Sequence, residues 1–302
     1  MTQTNKRFKK LIEAPELLMM PGVHDALSAR IAENAGFEAV TAAGFAATGA
    51  LLGQPDSSQL SANEMADHYA RICDAVDIPV FVDADTGFGN VTNVRRTVRD
   101  FERAGVAGLF IEDQVFPKRC GHTPGKDVVP VEDFLGKLKA ALDARRDPDF
   151  TIMARTDALG VIGIEEAILR GQMAVEVGVD MIFIEAPPTE DAMRRVCAEI
   201  DAPHFANMVD FGGSPLLTAD ELQEVGYAAA VWPVASVFTV TKALQSMYGT
   251  LMKDGTTKAA QANMVDFNTY TDLVGLPELR DQEESYLQTA RDYLASRRNA
   301  AE

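Results

Sequence analysis

The sequence predicts an α/β fold, a (β/α)8 TIM barrel with extra C-terminal helices. Three observations predict it. Short apolar runs alternate with longer helical patterns along most of the 302 residues. Eight such runs fall between Leu17 and Pro233, one for each βα unit of a closed barrel. No Gly-x-Gly-x-x-Gly turn follows the first run, as a doubly wound dinucleotide-binding sheet would require.

In chain order the runs are Leu17–Val23, Ala39–Ala43, Val80–Ala84, Gly108–Glu112, Thr151–Ala154, Met181–Glu185, His204–Met208 and Ala228–Pro233. Their continuous apolar character suits parallel strands buried on both faces. The segments between them carry helical periodicity. Val131, Phe134, Leu135, Leu138 and Leu142 share one helix face, and Ile164, Ala167, Ile168, Ala174 and Val175 share another. Gly36, Gly105, Gly178 and Gly226 each close a helical pattern just before a strand, the place of a C′ glycine. Neither a linker nor a low-complexity segment interrupts the chain. Residues 1–302 therefore read as one barrel domain, with 255–302 as a C-terminal helical extension ending in the polar tail Ala295–Glu302.

Composition narrows the function. Hydrophobic content of 47% and charged content of 24% suit a soluble globular protein with a sizeable core. Lys+Arg 28 against Asp+Glu 45 leaves a formal charge of −17. That excludes nucleic acid and an anionic membrane as partners, since phosphates need a basic surface. Cys73, Cys120 and Cys197 are odd in number and far apart, so neither a disulfide framework nor a CxxC metal pair is expected. Met1 to Lys10 is polar and basic without the apolar core of a signal peptide, and no run of about 18 apolar residues occurs. A reducing cytoplasm is the expected location.

Polar residues gather where the strands end, the active-site face of such a barrel. Strand three ends in Asp83-Ala84-Asp85-Thr86-Gly87-Phe88-Gly89, and the two-residue spacing of Asp83 and Asp85 predicts one shared face. Strand four ends in Glu112, strand five in Arg155-Thr156-Asp157, strand six in Glu185 and strand seven in Asn207; Asp56 lies in the loop after strand two. Several acids in one mouth repel one another, and a hard divalent cation, Mg2+ or Mn2+, relieves this. Taken singly, each acid has a simpler role as a helix cap or ion-pair partner. Four on adjacent strand ends favour the metal.

After strand four come 16 residues, Val115–Pro130, where βα loops usually have about 2–6. This loop carries Lys118-Arg119-Cys120-Gly121-His122 and no acid from Gln114 to Lys126. Pro117, Gly121, Pro124 and Gly125 supply stiff segments and hinges for a lid over a bound anion. Cations beside Cys120 are expected to favour its thiolate.

These motifs, with Ile111-Glu112-Asp113-Gln114, resemble the isocitrate lyase/phosphoenolpyruvate mutase superfamily from about Pro21 to Leu276. The cysteine-containing loop resembles its carbon–carbon lyases, the dimethylmalate and methylisocitrate lyase branch. Members that process phosphonates usually lack the cysteine. The resemblance implies a barrel whose eighth helix is swapped between subunits, in a homotetramer of helix-swapped dimers. It implies Mg2+ near Asp85, with Asp83, Asp56 and Glu112 acting largely through bound waters. The backbone of Ala43-Gly44-Phe45 would hold an α-oxo-acid carboxylate, with Gly121, Asn207 and Pro233 also at the substrate. Cys120 would be the general acid, beside Lys118, His122, Arg155 and Glu185.

That set fits cleavage of a small 2-hydroxy dicarboxylate in a retro-aldol sense, to an α-keto acid such as pyruvate and a carboxylate. Glu185 or a metal-bound water is the candidate base. Methylisocitrate lyases usually have Ser-Gly where this chain has Ala43-Gly44, and arginines where it has Phe238 and Tyr270. Loss of two cations disfavours a tricarboxylate and favours a 2,3-dimethylmalate or 2-alkylmalate, with Pro233 and Val234 lining that side. The alternatives are 2-methylisocitrate cleavage to succinate and pyruvate, oxaloacetate hydrolysis or decarboxylation, phosphonomutase P–C chemistry, and an oxo-acid-binding module without turnover. His24 is a candidate substrate contact or helix-start residue, and Trp232 a pocket wall or barrel filler. His68, His204, Cys73 and Cys197 read as structural.

Overall fold

The computed structural model describes residues 3–123 and 125–299. Pro124 and the last part of the polar tail lie outside the described residues. The chain runs α1 (Gln3–Ile12), β1 (Leu18–Val23), α2 (Ala26–Asn34), β2 (Val40–Ala42), α3 (Gly44–Leu52), α4 (Ala62–Cys73), β3 (Val80–Asp83), α5 (Val91–Ala104) and β4 (Gly108–Glu112). It continues α6 (Val131–Ala144), β5 (Thr151–Thr156), α7 (Ala158–Val161), α8 (Ile164–Val177), β6 (Met181–Ile184), α9 (Glu190–Glu199), β7 (Phe205–Asn207), α10 (Ala219–Val225) and β8 (Ala229–Trp232). All eight predicted strands are present. They form one parallel sheet in the order β6-β5-β4-β3-β2-β1-β8-β7. First and last strands are zipped from Leu18↔Ala229 to Pro21↔Trp232. The seam between β6 and β7 is closed by the isolated bridge Ile182↔His204, which completes a (β/α)8 barrel.

Local sequence explains where the helices begin and end. Capping boxes open α2 (Asp25 with Ser28), α4 (Ser61 with Glu64), α5 (Asn90 with Asn93) and α10 (Thr218 with Glu221). Gly178 ends α8 in the left-handed region, φ 105°, with its N–H turned back to Ala174 and Val175.

Two apolar layers result. One lies between strands and helices, with Tyr69, Phe101, Leu109, Ile111, Phe134 and Leu138 among its buried members. The other fills the barrel itself with Phe81, Phe110, Phe183, Phe205, Met20 and Met181, and α1 adds Phe8, stacked on Phe81 at 5.2 Å. Trp232 packs beside Leu222 and Tyr227 in a smaller cluster, so it fills rather than lines the pocket. His24 hydrogen-bonds Ser236 at the start of α2. Cys73 and Cys197 are thiols that burial pushes up to about 12.

The chain divides into two compact units, Met1–Thr241 and Lys242–Glu302. The predicted extension began at 255; the second unit begins thirteen residues earlier (255 − 242 = 13), within α11 (Ala235–Asp254). It also contains α12 (Phe267–Leu273) and α13 (Leu276–Asn299). Tyr270 lies on α12. None of the residues of α11 is buried. Among the described residues, no helix is long and apolar enough to cross a membrane.

Candidate active site

A cavity of about 250 Å³ opens where the C-terminal ends of the strands meet. Its lining includes Ala43, Phe45, Asp56, Asp83, Lys118, Cys120, Gly121, His122, Arg155, Glu185, Asn207 and Pro233, far apart in sequence yet gathered by the barrel. Gly44, Asp85 and Glu112 stand close behind these residues through the contacts below.

On one side the acids surround a lysine. Lys118 Nζ donates to Asp56 Oδ2 at 2.9 Å and lies 3.0 Å from Asp85 Oδ1 and 3.9 Å from Asp83 Oδ2. Burial opposes its charge, but Asp85, Asp83, Glu112 and Asp56 outweigh that and hold it well above the usual lysine range. Asp85 is pushed up to about 7, first by burial and then by Asp83 and Asp56, against the pull of Lys118. β3 ends at Asp83, so strand alternation is not what aligns the two aspartates. Asp85 instead sits in the left-handed region, φ 47°, with its N–H donating to Asp83 Oδ1 at 2.8 Å. Strained backbone of this kind survives only where its surroundings impose it. Asp56 also departs from the simple loop expected after β2, because α3 intervenes.

The N-terminus of α3 faces the same acids. Gly44 N–H donates to Asp83 Oδ2 at 3.0 Å, in the place where the Ala43-Gly44-Phe45 backbone was expected to hold a carboxylate. A Cβ on Gly44 would stand 3.0 Å from Asp83 Oδ2 and 3.3 Å from Asp85 Oδ1, which is why the smallest residue is here.

Among the described residues, no three His, Cys, Asp or Glu groups enclose a metal position directly; the acids converge on Lys118 instead. The donor set nevertheless fits a hydrated hard cation. Glu112 is fully buried, burial pushes it well above the usual carboxylate range, and neither of its oxygens accepts a hydrogen bond. Arg155 Nη1 lies 3.3 Å from Glu112 Oε2 without satisfying it. A buried carboxylate with both oxygens orphaned is suited to metal-bound water.

On the other side Arg155 ties three acids together. It reaches Asp157 Oδ2 at 2.9 Å, Glu185 Oε2 at 3.0 Å and Glu112 as above. Phe110 and Phe183 lie 5.8 and 5.1 Å from the guanidinium carbon. Burial pushes Glu185 up, but Arg155, His122 and Lys126 outweigh it and hold the carboxyl at about 2. His122 Nε2 is 3.0 Å from Glu185 Oε1, and Asn207 Nδ2 donates to Glu185 at 3.3 Å.

Cys120 stands between the two halves. The expected thiolate is not what the structure favours. Burial pushes the thiol up and Asp56 and Glu185 add to that, while the His122 N–H and Arg155 oppose it. The nearby cations are already spent on carboxylates. The protonated thiol suits a proton donor. Arg119, grouped with Lys118 and His122 in the sequence, is exposed and does not line the cavity; its backbone is clamped by Gln114.

Sequence reasoning missed three features. Asp157 and Lys126 form a buried pair at 2.7 Å. The Val209–Gly212 segment lines the cavity, and the Gly213 N–H donates to His122 Nδ1 at 3.1 Å. Phe110 and Phe183 offered no signal beyond ordinary apolar strands.

Gly121 packs directly on the cationic half. An added Cβ would fall 2.5 Å from Arg155 Nη2 and 2.6 Å from Glu185 Cδ, neither of which is free to move. Gly121→Ala is expected to lower kcat/KM by about 100-fold, the usual cost of a roughly 1 Å misplacement, with the melting temperature nearly unchanged. Steady-state kinetics beside thermal melting checks this.

A family model described as phosphoenolpyruvate phosphomutase matches residues 8–252. A 2,3-dimethylmalate lyase of Eubacterium barkeri is 44% identical over 283 residues, covering 94% of this chain and 98% of the relative. A 2-methylisocitrate lyase of Aeropyrum pernix is 40% identical, covering 97% and 94%. Among solved structures, an oxaloacetate acetylhydrolase bound to 3,3-difluorooxalacetate superposes with TM-score 0.89 at 31% identity, covering 94% and 97%. A phosphonopyruvate hydrolase complexed with oxalate and Mg++ superposes with TM-score 0.85 at 28% identity, covering 95% and 100%.

Proposed function

The chain belongs to the phosphoenolpyruvate mutase/isocitrate lyase superfamily and is a carbon–carbon lyase; we propose that it cleaves a small 2-hydroxy dicarboxylate of the 2,3-dimethylmalate type with the help of Mg2+. The observation that carries the reading is the cavity that brings the Cys120 thiol together with the cations Lys118 and Arg155 and with the His122 imidazole. Asp85, Asp83, Asp56 and Glu112 are the residues that would hold Mg2+ or Mn2+, which supplies Lewis-acid polarisation of a 2-hydroxy acid.

The chain's own groups account for the rest. The hydroxyl gives its proton to a water held by the strand-end acids, the C2–C3 bond breaks, and the bonding pair passes to the carbon beside the departing carboxylate. Arg155, Lys118 and His122 stabilise the enolate charge that results. Sγ–H of Cys120 then gives its proton to that carbon. For 2,3-dimethylmalate the products are pyruvate and propionate. Glu185, held at about 2, is a poor proton acceptor; its work is to orient Arg155, His122 and Asn207.

Substrate size follows from the apolar wall. Phe45 and Phe238 meet edge to face at 6.1 Å, with Pro233 and Val234 beside them. An extra carboxylate buried there would lack a cation. A homotetramer of helix-swapped dimers belongs to the same reading, supported by α11, where Leu244, Tyr248, Leu251 and Met252 are exposed. Free Cys120 suits a reducing cytoplasm.

The test is a screen of 2,3-dimethylmalate, 2-alkylmalates, 2-methylisocitrate and oxaloacetate with Mg2+, following α-keto acid or oxalate release. Pyruvate release from 2,3-dimethylmalate is expected to exceed that from 2-methylisocitrate by about 10-fold or more in kcat/KM. Preference for the tricarboxylate would overturn the argument from Phe238. Oxalate from oxaloacetate, with no malate cleaved, would replace the lyase reading by hydrolysis.

A further inference from the structure

Lys126 lies six residues after Cys120, and its side chain is nearly sealed from solvent, 8% exposed. It donates to Gly121 O, the carbonyl next to the thiol-bearing residue, and to Asp157 Oδ1 at 2.7 Å. Asp157 is fully buried. Its other oxygen accepts from Arg155 Nε at 2.9 Å, and its own N–H donates to Asp113 Oδ1. Asp113 is in turn held by Thr156 Oγ1 at 2.6 Å and by Arg170 Nη1 at 3.0 Å. One carboxylate thus fastens both the strand-end guanidinium and the loop that carries Cys120.

We propose that Lys126 is the ionic latch of this loop, a positioning residue that fixes Cys120 by tying Gly121 O to the Asp157–Arg155 pair. The chemistry favours a latch over simple packing. A buried ammonium needs hydrogen-bonding partners to repay its lost hydration, and both of its partners here lead to the site. The other anchor on this side is His122 on Glu185, so removing Lys126 leaves the Cys120–Gly121 segment held from one point less.

Only the kinetic arm of the test depends on the proposed lyase activity. Lys126→Met removes the ammonium but keeps the stem; Lys126→Arg keeps the charge. Without substrate, iodoacetamide labelling of Cys120, read by peptide mass spectrometry, is expected to quicken about 10-fold or more in K126M, because the thiol gains access and loses the burial that keeps it protonated. Cys73 and Cys197 serve as internal controls. With 2,3-dimethylmalate, kcat of K126M is expected to fall by about 30-fold or more while KM stays within about 3-fold, and K126R is expected to recover part of kcat. Labelling of Cys120 at the wild-type rate in K126M would overturn the latch, whatever the turnover. Should K126M fail to fold, K126Q is read by the same labelling assay, with the same two outcomes. If labelling quickens but no malate analogue is cleaved by the wild type, the latch stands and the substrate assignment falls.

Discussion

Replacing Cys120 with alanine is expected to lower kcat by about 10²–10⁴-fold, the usual contribution of a positioned proton donor. The fold should survive, because Cys120 lies in a loop outside the three apolar clusters. Serine is expected to restore little, since its hydroxyl is a much weaker acid than a thiol. Binding should persist, because Arg155, His122 and the acidic set remain in place; a bound oxalate, followed by calorimetry, reports it. Turnover within about 3-fold of wild type would remove Cys120 from the chemistry.

Arg155→Met is expected to be the most destabilising single change. Arg155 is 6% exposed, and its guanidinium is shared by Glu112, Asp157 and Glu185. Removing it leaves buried carboxylates uncompensated, a loss of about 3–5 kcal/mol at neutral pH. The pH dependence carries a sign. In the wild type Glu185 is held at about 2 against an ordinary 4.5, so its pairing stabilises the fold above about pH 4.5 and is lost as pH falls through about 2. Without Arg155, burial is left to push Glu185 up, and its protonation on acidification relieves the variant. The difference in urea midpoint between wild type and R155M should therefore narrow from pH 7 towards pH 4. A constant gap would show that Glu185 does not depend on Arg155.

The barrel was legible because parallel strands buried on both faces leave a continuous apolar mark, and all eight runs carry it. The strand-end acids were legible as a set, since several charges at the ends of adjacent apolar runs meet in one mouth. What escaped was set by three-dimensional neighbours. Asp83 and Asp85 suggested strand alternation, but Asp85 is placed by a left-handed backbone that only its surroundings impose. Cations near Cys120 in sequence suggested a thiolate, yet Lys118 is committed to Asp56 and Asp85, and burial decides the thiol. Lys126 and Asp157, thirty-one residues apart, gave no sign of their pairing.

The β6–β7 seam joins through the isolated bridge Ile182↔His204, whereas β1 and β8 are paired along four residues, from Leu18 to Pro21. Glu185 follows β6 and Asn207 ends β7, and the two side chains are hydrogen-bonded across the gap. The mouth of the cavity is therefore also a clasp. A ligand that engages both residues tightens the barrel's most thinly stitched joint, so occupancy of the pocket becomes readable as mechanical cohesion of the whole ring.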